Sequence, residues 1–582
     1  MTTAFTGIGV RGSRPVAIGP AYLLAREPVL TLESIPSNRI DAELKELDRA
    51  LVRARQHLEA VRAQIPATTP VHIAEFIDTH LLMLTDSALV DATRDLIRER
   101  SVNASWALQM QRDTLVEIFD GMDDAYLRTR RDDIDHVVRQ IQVFLSGEPP
   151  AETLAATDIS GRVIVASDLT PADAILLRHR GVGAFVTEHG GPMSHTAILA
   201  RGLDIPTVMG VHRATHYLRH DELLVVNAET GTVLAEADAA ILDHYRARLA
   251  SADARRGALR RLVNEPSASL DGTPVVLLAN LDLPEDVAAA RKNGAAGVGL
   301  YRTEFLYMNR NDLPDEEEHL ATYIEIIRGL DGMPLTIRTL DLGADKPMSI
   351  PGHGAPTQTN PALGLRAIRL CLKEPSLFLP QLRAILRASA EGTIRLMIPM
   401  ISSIQEVDQV LSLIVEIRRQ LRRDSIKFDP LMAVGGMIEV PAAALMAGAL
   451  ARRLDFLSIG TNDLVQYTLA IDRADDTVGQ LFDPLHPAVL KLIKYTIDAG
   501  ATARTRVGMC GEMAGNPRCT RLLLGLGLRE LSMQPGSLLE VKDRVRRCDI
   551  PAVEETVSAI MERIDDLDPD ELVERLTALN DD

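Results

Sequence analysis

Residues 190–210, GGPMSHTAILARGLDIPTVMG, set His195 behind two glycines and Pro192 at the start of a helical pattern. Glycine lets the backbone come close to a ligand, proline suits the first helical turn, and the free N–H groups there attract anions. The positive helix end also disfavours imidazolium, which keeps the ring neutral and nucleophilic. The position suits an imidazole that accepts a phosphoryl group. His189, six residues earlier, opens a metal-binding alternative, but H-x5-H fits no common zinc spacing and no thiolate is near in sequence. A core histidine is the third reading.

A second constellation is spread over the carboxyl-terminal half. Asn280, Arg302, Glu304, Arg338, Asp341, Glu439, Asn462, Asp463, Cys510 and Glu512 stand within a residue or two of where an apolar run stops. Arg302, Arg338 and Arg473, with Lys346 and Arg366 nearby, suit bidentate capture of a small, multiply charged anion. Ion pairing of each arginine with a neighbouring carboxylate is the alternative. Glu439 and Asp463 offer the oxygen ligands that Mg2+ prefers, or else serve as caps or ion-pair partners. Cys510, in GMCGEMAG, is either a small core filler or a proton donor to a carbanion or enolate. The second role requires a protonated thiol, which adjacent Glu512 would favour. Cys371, Cys519 and Cys548 fall outside strand ends and read as structural.

The elements that must position these groups follow from periodicity. Eight apolar runs alternate with helical segments: VVLLAN, GVGLYRTE, LTIRTLD, IRLMIPM, MAVGGMIE, DFLSIGTND, RVGMCGE and ELSMQP. Eight such units predict a (β/α)8 barrel over 267–565, whose active site lies at the carboxyl ends of its strands. Upstream, Ile40, Leu44, Leu47, Leu51, Ala54, Leu58 and Val61 form one apolar helical seam, and similar patterns predict a helical bundle over 35–146, with turns at PATTP and DGMDD. Short β-branched runs at 162–166, 206–209 and 223–226 predict an α/β domain over 147–237. RPVAIGPAYLL, within 1–34, has the same strand character, so the bundle reads as an insertion into the α/β domain after a first strand. A charged helical linker over 238–266 and a tail over 566–582 complete the division.

The bulk properties agree with a multidomain globular protein. The 582 residues exceed a single core, and 46% hydrophobic with 25% charged residues excludes a disordered or fibrous chain. A net charge of -18 argues against nucleic acid or an anionic membrane as the main partner. The N-terminus lacks the apolar core of a signal peptide, which predicts a cytoplasmic protein. Four irregularly spaced cysteines read as free thiols.

Taken in order, GG-x-x-SHTAILAR, GLYRTEFLYM, RTLDLGADK, NPALGLRAIR, SIGTNDLVQYTLAIDR and GMCGEMAG resemble enzyme I of the bacterial phosphoenolpyruvate-dependent phosphotransferase system, over essentially the whole chain. The resemblance implies a swivelling α/β phosphohistidine domain with an inserted helical bundle, followed by a phosphoenolpyruvate-binding barrel. By it, His195 matches the phosphorylated histidine, and Arg302, Arg338 and Arg473 match residues binding phosphoenolpyruvate, with Asn462 at the substrate. Glu439 and Asp463 match the Mg2+ ligands, Asp463 bordering the substrate as well, and Cys510 matches the proton donor. The bundle corresponds to the docking site of the carrier protein HPr, and the barrel to the surface of a homodimer. Pro192 and Met193 stand where the sugar-transport enzymes show Arg-Thr, and Ala344 where a second glycine is common. IPTVMG, LGADK and LHPA look closer to the nitrogen-related paralogue, which leaves both branches open.

Two other readings compete. A pyruvate phosphate dikinase or phosphoenolpyruvate synthase shares the histidine and the barrel but needs an ATP-grasp domain, and the first 145 residues contain no phosphate-binding glycine loop. A non-catalytic regulator that binds phosphoenolpyruvate would be expected to lack His195 or Cys510, and both are present.

Overall fold

The computed structural model describes residues 2–10, 15–24, 32–64, 71–120, 125–146, 158–169, 174, 177–178, 180–189, 205–307, 312–342, 361–472, 478 and 481–580. The chain divides into two compact units, Met1–Arg255 and Arg256–Asp582. His195, Arg473, Lys346, Pro192, Met193, Ala344 and the PATTP turn lie outside the described residues.

The first unit contains the helical bundle and an eight-stranded sheet. Bundle helices are α1 (Ile40–Gln64), α2 (Val71–Met83), α3 (Ser87–Arg100), α4 (Ala104–Asp120) and α5 (Ala125–Leu145). Leu47, Ile77, Ile97, Leu108 and Ile141, one from each helix, are fully buried in a shared core. The predicted seam on α1 holds from Ile40 to Leu58: Leu47, Leu51, Ala54 and Leu58 are buried, and Ile40 and Leu44 pack against them, while the Val61 side chain lies outside the described residues. Asp86 starts α3 by accepting from the Ala88 amide at 2.7 Å, and Asn103 starts α4 by accepting from the Trp106 amide at 3.0 Å.

Strands of the sheet are β1 (Thr3–Thr6), β2 (Ile8–Val10), β3 (Val16–Leu23), β4 (Val163–Ala166), β5 (Ala184–Thr187), β6 (Thr207–Met209), β7 (Leu223–Asn227) and β8 (Thr232–Ala235). Their spatial order is β1-β8-β7-β3-β4-β5-β6-β2. β3, β4, β5 and β6 run parallel, so the whole bundle is the crossover between the neighbours β3 and β4. The insertion is as the sequence predicts. It follows three strands rather than one, because β1 and β2 are too short to carry an alternating pattern and are held by pairing with β8 and β6. β5 and β8 likewise join the three runs read from the sequence. His189 lies just beyond β5, where its Nδ1 is 3.2 Å from the Ser167 carbonyl at the end of β4.

The second unit is a closed barrel of eight parallel strands in sequential order. They are β9 (Val276–Leu281), β10 (Val298–Tyr301), β11 (Leu335–Arg338), β12 (Ile394–Ile398), β13 (Ala433–Ile438), β14 (Phe456–Ile459), β15 (Arg506–Met509) and β16 (Glu530–Met533). Each coincides with one of the eight apolar runs. Inside, Leu300, Met397, Met437, Phe456 and Cys510 form a small core of their own. Below it, Arg395 spans the barrel to Glu530 at 3.0 Å and lies 5.9 Å from the Phe456 ring centre. This plug fills the amino ends of the strands and leaves the carboxyl ends for polar groups.

A charged helix, Ala239–Arg260, crosses the boundary between the units. Within the predicted tail 566–582, the described residues 566–580 are packed: they carry the helix Pro569–Ala578, and Leu572, Leu576 and Leu579 are buried in the outer core of the barrel. The four cysteines are free and buried. Among the described residues, no helix is long and apolar enough to cross a membrane.

The turn between β7 and β8 depends on one glycine. Gly231 has φ +66°, and an added Cβ would sit 2.1 Å from the Gly7 carbonyl oxygen. Gly231→Ala is expected to destabilise the first unit by about 1–3 kcal/mol, read as a lower midpoint of thermal unfolding. Gly257→Ala, at an exposed helical position where the added methyl meets nothing within 4 Å, should leave the midpoint unchanged or raise it. Equal midpoints for the two variants would show that the hairpin tolerates a side chain.

Candidate active site

Polar side chains from several different strands meet at the carboxyl end of the barrel. Arg338 is the last residue of β11, and Asp341 follows it by three residues. Glu439 immediately follows β13. Asp463 lies in the first turn of the helix Thr461–Leu469, which begins one glycine after β14. Asp341, Glu439 and Asp463 each offer a carboxylate oxygen, and the three lie within 4.8 Å of one another.

Two guanidinium groups lace this cluster. Arg338 reaches Glu304 at 2.7 Å and Asp341 at 3.0 Å. Arg366 reaches Asp341 at 2.9 Å and Asp463 at 3.7 Å, and it donates to the Tyr467 hydroxyl at 3.2 Å. Four carboxylates thus face two arginines, an excess of two negative charges when all are ionised. Glu439 carries the imbalance. Burial, together with Asp341 and Asp463, pushes its carboxyl well above the usual carboxylate range, although Arg338 opposes the shift. The trio supplies only hard oxygen donors, in a buried site short of positive charge, which fits an oxygen-liganded divalent cation.

Glu439 also accepts a hydrogen bond from the Met400 amide at 2.6 Å. Met400 has φ +53°, unusual for a residue with a side chain, and such strain costs on the order of 1–3 kcal/mol. The strained turn after β12 aims its N–H at the carboxylate. Gly460 leaves room on the other side, since a Cβ there would lie 2.9 Å from Glu439 Oε2.

Cys510, just after β15, is buried and its thiol sulfur is 3.8 Å from the Ile459 carbonyl. Burial pushes the thiol up to about 11, so it is protonated at neutral pH. The sequence expectation credited Glu512 with this effect. The structure corrects it: Glu512 is exposed and engaged with Asn462, and the carboxylate that raises the thiol is Glu439. The Cys510 carbonyl is held by Asn280 Nδ2 at 3.0 Å, and Asn280 in turn accepts from Ser532 at 2.5 Å.

The remaining expected residues sit further out. Asn462 donates to Glu512 Oε1 at 3.2 Å and accepts from the Glu512 amide at 2.9 Å, which ties the end of β14 to the loop after β15. Arg302, half-buried after β10, pairs with Asp282 at 2.9 Å. Arg338, Glu439 and Asp463 are therefore brought together, Cys510 lies close enough to feel Glu439, Arg338 and Arg302, and His195 and Arg473 are not described.

Sequence reading noted Asp341 at a strand end and Arg366 as a nearby cation without joining either to the carboxylates. The i,i+3 spacing of Arg338 and Asp341 carried that signal. Nothing local marked Met400. Five buried polar atoms, Glu304 Oε2, Arg338 Nε, Arg366 Nε, Thr339 Oγ1 and Thr461 Oγ1, have no hydrogen-bond partner among the described residues. They leave spare capacity for a polar ligand.

Comparison with known proteins gives matches along nearly the whole chain. Residues 256–550 match the family described as PEP-utilising enzyme, PEP-binding domain. Residues 8–130 match PEP-utilising enzyme, N-terminal, and residues 159–231 match PEP-utilising enzyme, mobile domain. The chain is 45% identical over 566 residues to the phosphoenolpyruvate-protein phosphotransferase of Cupriavidus necator, covering 96% of this chain and 97% of that protein. It is 38% identical over 556 residues to the corresponding protein of Geobacillus stearothermophilus, covering 95% of each. With that of Priestia megaterium the identity is 37% over 554 residues, covering 95% of this chain and 96% of the relative. With a laced carboxylate cluster on its barrel and relatives aligned nearly end to end, the chain belongs to the phosphoenolpyruvate-protein phosphotransferase family, the enzyme I family.

Proposed function

We propose that this protein transfers a phosphoryl group from phosphoenolpyruvate to its own His195 and then to a histidine of HPr or a nitrogen-branch homologue, releasing pyruvate. The observation that carries the reading is the buried Asp341–Glu439–Asp463 trio laced by Arg338 and Arg366, with a protonated thiol on the neighbouring strand. Such a site suits a small anion whose reaction generates an enolate.

Arg302, Arg338 and Arg473 hold the phosphate and carboxylate of the substrate, and Asn462 orients it. Glu439 and Asp463, with Asp341 beside them, would hold Mg2+, which when bound would supply charge neutralisation for the transferring phosphoryl group. A neutral His195 nitrogen attacks phosphorus as the bond from phosphorus to the enol oxygen breaks. Cys510 gives its thiol proton to the methylene carbon of the enolate, which becomes pyruvate, and the thiolate regains a proton from water. Phosphohistidine then passes the phosphoryl group to the carrier histidine. The barrel interior supports the acid role, because burial among Leu300, Met397, Met437 and Phe456 keeps the thiol protonated.

In this reading, 35–146 docks the carrier, 1–34 with 147–237 carries the phosphohistidine, and 267–565 binds phosphoenolpyruvate and pairs two subunits into a homodimer. The linker 238–266 joins domains that exchange partners, as a histidine serving two sites requires. The protein acts in the cytoplasm.

Given labelled phosphoenolpyruvate and Mg2+, the purified chain should take up acid-labile phosphate, and His195→Ala should not. Uptake from ATP instead would favour the dikinase reading, and uptake from neither would favour a regulator. Cys510→Ala should keep phosphoenolpyruvate affinity while turnover falls about 100- to 10,000-fold, the usual share of a general acid. Unchanged turnover would remove the thiol from the mechanism. The pH dependence of Cys510 alkylation, followed by peptide mass spectrometry, should rise toward a midpoint of about 11, above that of an ordinary thiol. A midpoint near 8 would mean that the thiol is not held protonated.

A further inference from the structure

The stretch Arg338–Asp341 brings a guanidinium and a carboxylate into the site, yet its geometry is not set by the sheet alone. The Thr339 amide completes the β11–β12 ladder by donating to the Met397 carbonyl at 3.0 Å. The next two amides leave the sheet and donate to side chains. Leu340 donates to Gln381 Oε1 at 3.0 Å, and Asp341 donates to Glu304 Oε1 at 3.1 Å. The Arg338 carbonyl accepts from the Thr303 hydroxyl at 3.1 Å.

Gln381 and Thr303 act on this segment as one unit. Gln381 Nε2 donates to Thr303 Oγ1 at 3.0 Å, so each side chain fixes the other while both hold the backbone between Arg338 and Asp341. Both are fully buried. Gln381 belongs to the helix Pro375–Ala388, outside the strands, and Thr303 precedes Glu304, which itself grips the Arg338 guanidinium. The anchoring runs deeper still. Behind it, the Tyr323 hydroxyl lies 3.1 Å from His319 Nδ1, and His319 Nε2 lies 3.2 Å from the Tyr307 hydroxyl. Apolar packing alone fills space, but a bidentate amide and an oriented hydroxyl fix the angle of a peptide plane.

We propose that Gln381 and Thr303 are positioning residues of the phosphoryl-transfer site: by clamping the backbone from Arg338 to Asp341 they set the angle at which Arg338 meets substrate and Asp341 meets the metal. Neither touches a reactant. The proposal rests on the phosphotransferase reading above, which names what Arg338 and Asp341 hold.

The test uses the full chain carrying His195→Ala, so that phosphoenolpyruvate binds without turnover, with phosphoenolpyruvate and Mg2+ titrated by calorimetry. Thr303→Val keeps the shape and removes the hydroxyl. It should weaken both phosphoenolpyruvate and Mg2+ binding about 10- to 100-fold, the range found when groups behind a metal ligand are removed. Thr303→Ser, which restores the hydroxyl, should bring both affinities back to those of the His195→Ala chain. A general loss of stability would lower the unfolding midpoint of both variants without this hydroxyl-dependent split. Should Thr303→Val not fold, Gln381→Met carries the same test through the Leu340 amide. Affinities of the apolar variant equal to those of the His195→Ala chain overturn the positioning role alone, whereas a His195→Ala chain that binds no phosphoenolpyruvate overturns the functional reading beneath it.

Discussion

Four carboxylates and two guanidiniums share one largely buried space at the carboxyl end of the barrel, and the charges do not balance. Isolated charges in a protein interior are costly, so this arrangement persists only where geometry and hydrogen bonds compensate them. Arg338 and Arg366 neutralise most of Glu304, Asp341 and Asp463. Glu439 keeps the Met400 amide as its nearest donor and resists ionisation. The deficit of positive charge favours a cation among the carboxylates.

The rest of the barrel meets the conditions under which such a cluster is useful. Phe456 and the Arg395–Glu530 pair fill the amino ends, so the polar groups are confined to the other mouth. The same filling buries Cys510 beside hydrocarbon, which keeps its proton on sulfur. A single low-polarity interior thus raises a thiol and a carboxyl by the same desolvation, at the carboxyl ends of β15 and β13. Where the backbone must depart from regular geometry, side chains take over its hydrogen bonds: Glu439 takes the amide of strained Met400, and Gln381 and Glu304 take those of Leu340 and Asp341.

Much of this was legible in the sequence because barrel strands are short, apolar and separated by helices of regular period. All eight runs became strands, and the heptad-like seam of α1 became the face buried in the bundle. The weaker elements escaped for a physical reason. β1 and β2 are three or four residues long and gain their stability from partners over 190 residues away, so no local pattern announces them. At the site, Arg338, Glu439, Asp463 and Cys510 could be named because each interrupts an apolar run. Met400, Gln381 and Thr303 could not, since Met400 acts through its own amide on Glu439 and the other two through hydrogen bonds to the backbone between Arg338 and Asp341.

By itself the sequence determined which residue types end the barrel strands and how many strands the barrel has, because hydrophobic periodicity and its interruptions are local properties. Only the tertiary structure decided that Asp341 joins Glu439 and Asp463, that Arg366 bridges two of them, and that burial, aided by Glu439 rather than Glu512, keeps the proton on Cys510. Those outcomes depend on distances of a few ångströms between strands far apart in the chain, and on the desolvation that closing the barrel imposes.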